Sequence, residues 1–390
     1  MSVKHVLERG GPRKLLALDG GGIRGLIAVE VLAEIENHLR GNRGDDFRLA
    51  DEIDYIAGTS TGAIIATCLS LGMSVAQIRG FYRDSGTAMF DKASLLRRFR
   101  TKFEDEKLAA KLKEVFGEDT TLGTDQLKTL LLIVMRNATT DSPWPLSNNP
   151  HAKYNLDQRR RDGLACNLDL PLWQIVRAST AAPAYFPPEA IQAGPGVFLM
   201  VDGGVTMYNN PAFLLFLMAT VEPYNLRWAA RKDEMLIISV GTGTSPKANQ
   251  DLAPEDMNLI YNAGSIPSAL MFAALNEQDL LCRVFGECLH GDMLDREVGD
   301  MIGKQGPVDP KLFTYVRYNA ELTSEWLERH GLGHIDPREV QRLDSISHMD
   351  ELQEVGRKVA LQVRPEHFDA FLRPPEAARP PATTLEGEAI

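Results

Sequence analysis

The chain has no long apolar run, and that absence restricts it most. A membrane-spanning helix needs roughly 18 or more consecutive apolar residues. The longest candidate here, residues 211–221, covers about half that length. Residues 1–14 are polar and hold no apolar stretch of the kind a secretory signal carries. Cysteine is scarce: Cys68, Cys166, Cys282 and Cys288 have neither metal-ligand spacing nor a disulfide framework. Those features together point to a reducing compartment, the cytoplasm. Basic residues are outnumbered, 42 against 53 acidic, and the net charge of −11 excludes binding DNA, RNA or an anionic membrane through bulk charge. There is no internal repeat and no loop with the carboxylate spacing of a calcium site, so no metal is expected. What remains is an ordinary globular composition, 44% apolar and 24% charged, in a chain long enough for a large core.

The stretch that organises this chain is residues 55–63, with an apolar run at 53–57 and another at 63–71. A short apolar run stops at Gly58, Ser60 stands between Gly58 and Gly62, and an almost wholly apolar run follows. That reads as a buried strand, a tight turn and a buried helix, the nucleophile-elbow pattern Gly-x-Ser-x-Gly. Glycines at 58 and 62 let strand and helix approach closely enough to hold the serine exposed.

About 35 residues earlier, a buried strand at 15–18 runs into Asp19-Gly20-Gly21-Gly22-Ile23-Arg24-Gly25. A helix follows, with Ala28, Val31, Leu32, Ile35 and Leu39 on one face and Gly41 at its end. Strand, glycine loop and helix start together aim backbone N–H groups at an anion. Gly20, Gly22 and Gly25 fit a dinucleotide-binding spacing; against it, Asp45 and Asp46 lie in a polar loop, not at the end of a second strand. The alternative is an oxyanion hole. Arg24 has two readings, a solvated surface residue or one that holds the loop or an anionic head group.

Further along, Lys92, Arg97, Arg98, Arg100 and Lys102 alternate with Phe90, Leu95, Leu96, Phe99 and Phe103. This is either a solvated basic face or an interfacial, phosphate-binding surface. Residues 107–116 have helical spacing, 128–135 are of strand type, and 172–182 read as a buried helix stopped by Pro183. The strand at 197–201 runs straight into Asp202-Gly203-Gly204, where an α/β fold places catalytic groups. A further strand at 235–240 ends in Gly241-Thr242-Gly243. Strands alternating with helices from 15 to 243 predict a parallel sheet covered on both faces. Beyond it, 256–290 and 337–371 are mainly helical in pattern, with a strand-like segment at 313–318. The tail from 373 carries four prolines and no periodicity, and is expected to be disordered.

The glycine loop, Gly-Thr-Ser-Thr-Gly at 58–62, the Arg-Ala-Ser-Thr-Ala-Ala-Pro segment from Arg177 and Asp202-Gly203-Gly204 stand in one order. Together they resemble the patatin-like phospholipases over roughly residues 15–244. The resemblance implies a three-layer α/β/α fold with a mainly parallel central sheet and a helical C-terminal extension. It divides the chain into a lead (1–14), a catalytic core (15–244), a mainly helical part packed on that core (245–372) and the tail (373–390). It also implies lipid acyl hydrolysis by a Ser–Asp dyad, with Ser60 the nucleophile and Asp202 the base. Gly20, Gly21 and Gly22 would form the oxyanion hole, with Arg24, Gly25, Gly58, Gly62, Gly203 and Gly204 supporting the motifs. The expected substrate is a membrane phospholipid met by peripheral contact, with no cofactor needed for the chemistry. The general plan is also similar to members switched on by a cyclic di- or trinucleotide in anti-phage defence, and a homo-oligomer surface is a further expectation for residues after 244.

Two rivals stay open at this point. An α/β-hydrolase triad would draw its base from His290, His330, His334, His348 or His367, all of which follow Asp202. An idle relative would keep the fold as a binding scaffold.

Overall fold

The computed structural model describes residues 2–90, 106–183, 185–245 and 259–372. The basic cluster between Lys92 and Lys102 and the tail from 373 lie outside the described residues.

A nine-stranded sheet organises the chain. Its strands are β1 (Arg13–Leu18), β2 (Tyr55–Thr59), β3 (Leu130–Asn137), β4 (Ser142–Ser147), β5 (Glu189–Ala193), β6 (Gly196–Asp202), β7 (Met235–Val240), β8 (Glu287–His290) and β9 (Thr314–Tyr318). The order is β5-β6-β3-β2-β1-β7-β9-β8, with β4 also paired to β3. From β3 across to β8 every pairing is parallel, whereas β4 and β6 run antiparallel to β3.

The central strands are apolar on both faces because helices cover both. Leu16 and Leu18 of β1 join the core that contains the helices Gly25–Arg40, Thr61–Ser70 and Met349–Ala360. Leu15 and Ala17 face a second core with the helix Ala212–Thr220. Alternation repeats along β3, where Leu131 and Ile133 belong to the first core and Leu130 and Leu132 to the second. The expected α/β/α architecture with a mainly parallel sheet is therefore the observed one.

Differences from the sequence reading sit at the sheet margins. Strand β4 is not among the expected strands; Pro143 and Pro145 lack ladder donors, and it survives because only β3 pairs with it. In the segment read as mainly helical, the helix Leu259–Phe285 ends and β8 follows. Gly286 makes the switch: a Cβ there would lie 2.4 Å from the Phe313 ring. Strands β8 and β9 thus extend the sheet with residues from beyond 244. The helix Met349–Ala360 lies across Gly25–Arg40, so close that a Cβ on Gly356 would come within 2.9 Å of the Ile27 carbonyl oxygen.

Candidate active site

Strand β2 passes to the helix Thr61–Ser70 through Ser60 alone, at φ 54° and ψ −122°. A non-glycine residue rarely adopts that conformation, which costs about 1–3 kcal/mol. Its surroundings force it. A Cβ on Gly58 would lie 2.1 Å from the Gly62 carbonyl oxygen, and one on Gly62 would lie 2.3 Å from that of Leu18. Helix, strand and the end of β1 therefore meet at a spacing only glycine permits. Ser179 completes the support: its hydroxyl accepts the Ser60 N–H at 2.9 Å and donates to the Val134 carbonyl at 2.6 Å.

Sheet register delivers the carboxylate. Along β3, Val134 pairs with Thr59 of β2, and the next residue, Met135, pairs with Asp202 of β6. Because β4 occupies the other edge of β3, β6 enters on the side of β2, just where β2 stops at Ser60. The Ser60 hydroxyl donates to Asp202 Oδ2 at 2.6 Å, and the Gly204 N–H donates to Oδ1 at 2.6 Å. Gly203 makes the close approach possible, as a Cβ there would meet the Val134 carbonyl oxygen at 2.3 Å. Asp202 is buried, and that burial lifts its carboxyl to about 6, against the opposing hydrogen bonds from Ser60 and Gly204.

The glycine loop closes over the same point. A Cβ on Gly20 would fall 3.2 Å from the Cβ of Ser60. Of the three glycines expected to donate to an oxyanion, Gly20 has its N–H taken by the Asn209 carbonyl at 3.1 Å. Among the described residues no acceptor meets the N–H of Gly21 or Gly22. Of the three glycines, only these two have an N–H free to donate, and Gly20 brings the loop close to Ser60. The start of the Thr61–Ser70 helix adds a positive end at Ser60. Gly25 fits under the elbow, where a Cβ would meet the Thr61 hydroxyl at 2.7 Å.

These groups line a cavity of ≈ 420 Å³ whose walls are mostly apolar, with Ile64, Phe90, Leu108, Phe186, Val205 and Met271 among them. Arg24 lines it too, half-buried. Its Nη1 donates to the Ser245 hydroxyl at 3.2 Å and the Gln341 carbonyl at 3.3 Å, and burial pulls its guanidinium down to about 10. None of the eight histidines lines the cavity. His290 meets Gln362, His367 meets Tyr318, His330 meets its own helix at Trp326, and His334 and His348 meet glutamates. Among the described residues no group of acidic, cysteine or histidine side chains is arranged to hold a metal ion.

Ser179, Asn209, Thr242 and Leu343 escaped the sequence reading. Thr242 donates to the Gly20 carbonyl at 2.7 Å, and the Leu343 carbonyl accepts the Ile23 N–H at 3.0 Å. Ser179 and Thr242 sit in segments singled out for their motif, yet only the folded register shows what each holds.

A serine held by a buried carboxylate, beside unpartnered N–H donors and an apolar cavity, is suited to acyl transfer from an ester with a fatty chain. Comparison with known proteins agrees. Patatin-T5 of Solanum tuberosum is 28% identical over 315 residues, covering 71% of this chain and 77% of its own length. The cGAMP-activated phospholipase of Vibrio cholerae is 31% identical over 246 residues, 59% of this chain and 64% of that protein. The 85/88 kDa calcium-independent phospholipase A2 of Mus musculus is 31% identical over 250 residues, 60% of this chain and 27% of that protein. A family model described as patatin-like phospholipase matches residues 16–216, just over half of the 390. On that match the chain belongs to the patatin-like phospholipase family, a family of acyl ester hydrolases.

Proposed function

We propose that the protein hydrolyses carboxylic ester bonds of membrane phospholipids, with Ser60 as nucleophile and Asp202 as its base. The observation that carries this reading is the direct 2.6 Å bond from the Ser60 hydroxyl to a buried carboxylate in a cavity without histidine. Asp202 takes the Ser60 proton as Oγ attacks the ester carbonyl, and the oxyanion lodges against the N–H groups of Gly21 and Gly22. Each such donor is typically worth about 3–4 kcal/mol. The proton then passes to the departing alkoxide, leaving an acyl-Ser60 intermediate. Water attacks that ester with Asp202 again as base, and releases the fatty acid. The apolar wall receives the acyl chain, and Arg24 stands where a head-group phosphate enters. Contact with the membrane is peripheral, from the cytoplasmic side.

A fluorophosphonate probe tests the assignment. Wild type is labelled at Ser60, Ser60→Ala is not, and Ser60→Ala and Asp202→Ala both abolish lipid hydrolysis. Each histidine-to-alanine variant keeps activity within about tenfold, because none reaches the cavity. A histidine variant as inactive as Ser60→Ala would restore the triad reading. Folded wild type that neither labels nor hydrolyses with any activator would restore the scaffold.

Similarity to the cGAMP-activated phospholipase supports a second part of the proposal, activation by a cyclic di- or trinucleotide in anti-phage defence. Hydrolysis should then be feeble alone and rise strongly with one member of a cyclic-nucleotide panel. Full activity without additive, unchanged across the panel, removes this part and leaves the chemistry intact. The mechanism uses no metal, so activity should survive a calcium chelator.

A further inference from the structure

The loop carrying the proposed oxyanion donors is tied on both sides, and Thr242, Leu343 and Arg317, all beyond the family-matched stretch, supply ties. At its exit, the Leu343 carbonyl accepts the Ile23 N–H. At its entrance stands Asp19, the residue between β1 and Gly20, which is 1% exposed. Its carboxylate receives Arg317 of β9, from Nη2 at 2.6 Å and from Nη1 at 3.3 Å.

Arg317 reaches it across an intervening strand. Arg317 pairs with Ser239 of β7, and Ser239 with Ala17 of β1. The guanidinium crosses β7, donating to the Ser239 hydroxyl at 2.6 Å on the way, and meets the carboxylate two residues past Ala17. From behind, Asp279 Oδ2 lies 3.5 Å from Arg317 Nε and is itself held by Arg283 at 2.7 Å. Two carboxylates and two guanidiniums thus balance in the interior, so neither charge of the Asp19–Arg317 pair is left uncompensated.

We infer that Arg317 is a positioning residue for the reaction: its fork on Asp19 fixes how the chain leaves β1 and so where the Gly21 and Gly22 N–H groups point. The inference rests on the hydrolase reading above. Geometry supplies the reason. Gly21 and Gly22 follow Asp19 at two and three residues, and they are the donors that the loop's other ties leave free. A point charge cannot replace a planar two-pronged grip, so lysine should restore charge but not direction. The part of the chain after residue 244 therefore acts on the chemistry as well as on the fold.

The test uses the whole chain, with p-nitrophenyl butyrate as a soluble ester and melting temperature as the measure of folding. Arg317→Met should lower kcat by about 100-fold, the scale of a lost oxyanion donor, with KM within about threefold. Arg317→Lys should regain melting temperature but only part of kcat. In the double variant Asp19→Asn/Arg317→Met no charge is left unpaired at Asp19, so melting temperature should recover while kcat stays low. Recovery of kcat in step with melting temperature, in either variant, would reduce Arg317 to a structural residue and overturn the inference. So would an unchanged kcat in folded Arg317→Met. Ser60→Ala, assayed alongside, scores the hydrolase reading separately: activity persisting there ends that reading, whereas its loss beside an unaffected Arg317→Met ends only the positioning role.

Discussion

Asp202 meets two opposed demands, because the burial that lifts its carboxyl, as the base proposed for Ser60 requires, also makes its charge costly. Its pKa is raised from 3.8 to about 6 in the fold. A raised carboxyl favours the folded state at low pH, and that contribution is lost as pH rises through about 6. Asp202→Asn should therefore raise stability near neutral pH, by on the order of 2 kcal/mol, while abolishing turnover. Thermal melts at pH 5 and pH 8 check the sign, since the gain must be larger at pH 8. The same shift predicts that kcat/KM of wild type rises with pH on a limb centred near 6, where Asp202 becomes an available base. At this scale much of the site was legible. Ser60 and Asp202 stand at the ends of short apolar runs beside glycines, a local signal. Ser179 and Arg317 act through partners more than 100 residues away, on Ser60 and Asp19, and nothing near them in the sequence announces that. Gly20 was legible as part of the loop but not as a residue whose own donor is occupied.

The elements around the site are fitted at distances that leave no room for a methyl group. Gly62→Ala places a Cβ against the Leu18 carbonyl oxygen, so the elbow must open. We expect a loss of about 2–4 kcal/mol in stability and at least a 100-fold fall in hydrolysis, read by denaturant melts and ester turnover. A second element-scale prediction concerns the close of the chain. His290 at the end of β8 and His367 stack at 5.3 Å between ring centroids, with Tyr318 bonded to His367. Burial lowers both, His367 to about 4, and the nearby His290 further disfavours charge on His367. A depressed histidine stabilises the fold above its unfolded pKa of about 6.5, and that contribution fades as pH falls toward about 4. Hydrogen exchange between pH 7 and pH 4.5 should show residues 363–372 opening earlier in wild type than in His367→Phe. Element by element, buried parallel strands were readable because both faces are apolar. The margins were not: β4 is broken by prolines, β5 is a short half-polar strand, and β8 is four residues directly after a helix.

Across the whole molecule, one sheet unites the family-matched stretch with residues far beyond it. Strand β9 covers the edge of β7 and brings Arg317 to the glycine loop, while Met349–Ala360 rests on the helix that the loop begins. A chain ending at residue 244 would expose the β7 edge and strip Asp19 of its partner. We expect such a truncation to be insoluble or unfolded by circular dichroism, and a folded, active truncation would show that the later residues are dispensable. In the sequence these residues look separate because their pattern turns helical after Gly243. What it could not reveal was long-range pairing, for a five-residue strand such as β9 declares no partner.

The central claim is that Ser60, activated directly by Asp202, carries the acyl group of a lipid ester. Its most direct measurement is intact-protein mass spectrometry of enzyme quenched during phospholipid turnover, followed by peptide mapping. The account predicts an added mass of one fatty acyl group on the peptide containing Ser60. That mass should be absent in both Ser60→Ala and Asp202→Asn, and unaffected by changing any histidine. An acyl group found on another residue, or formed at an undiminished rate in Asp202→Asn, would contradict it.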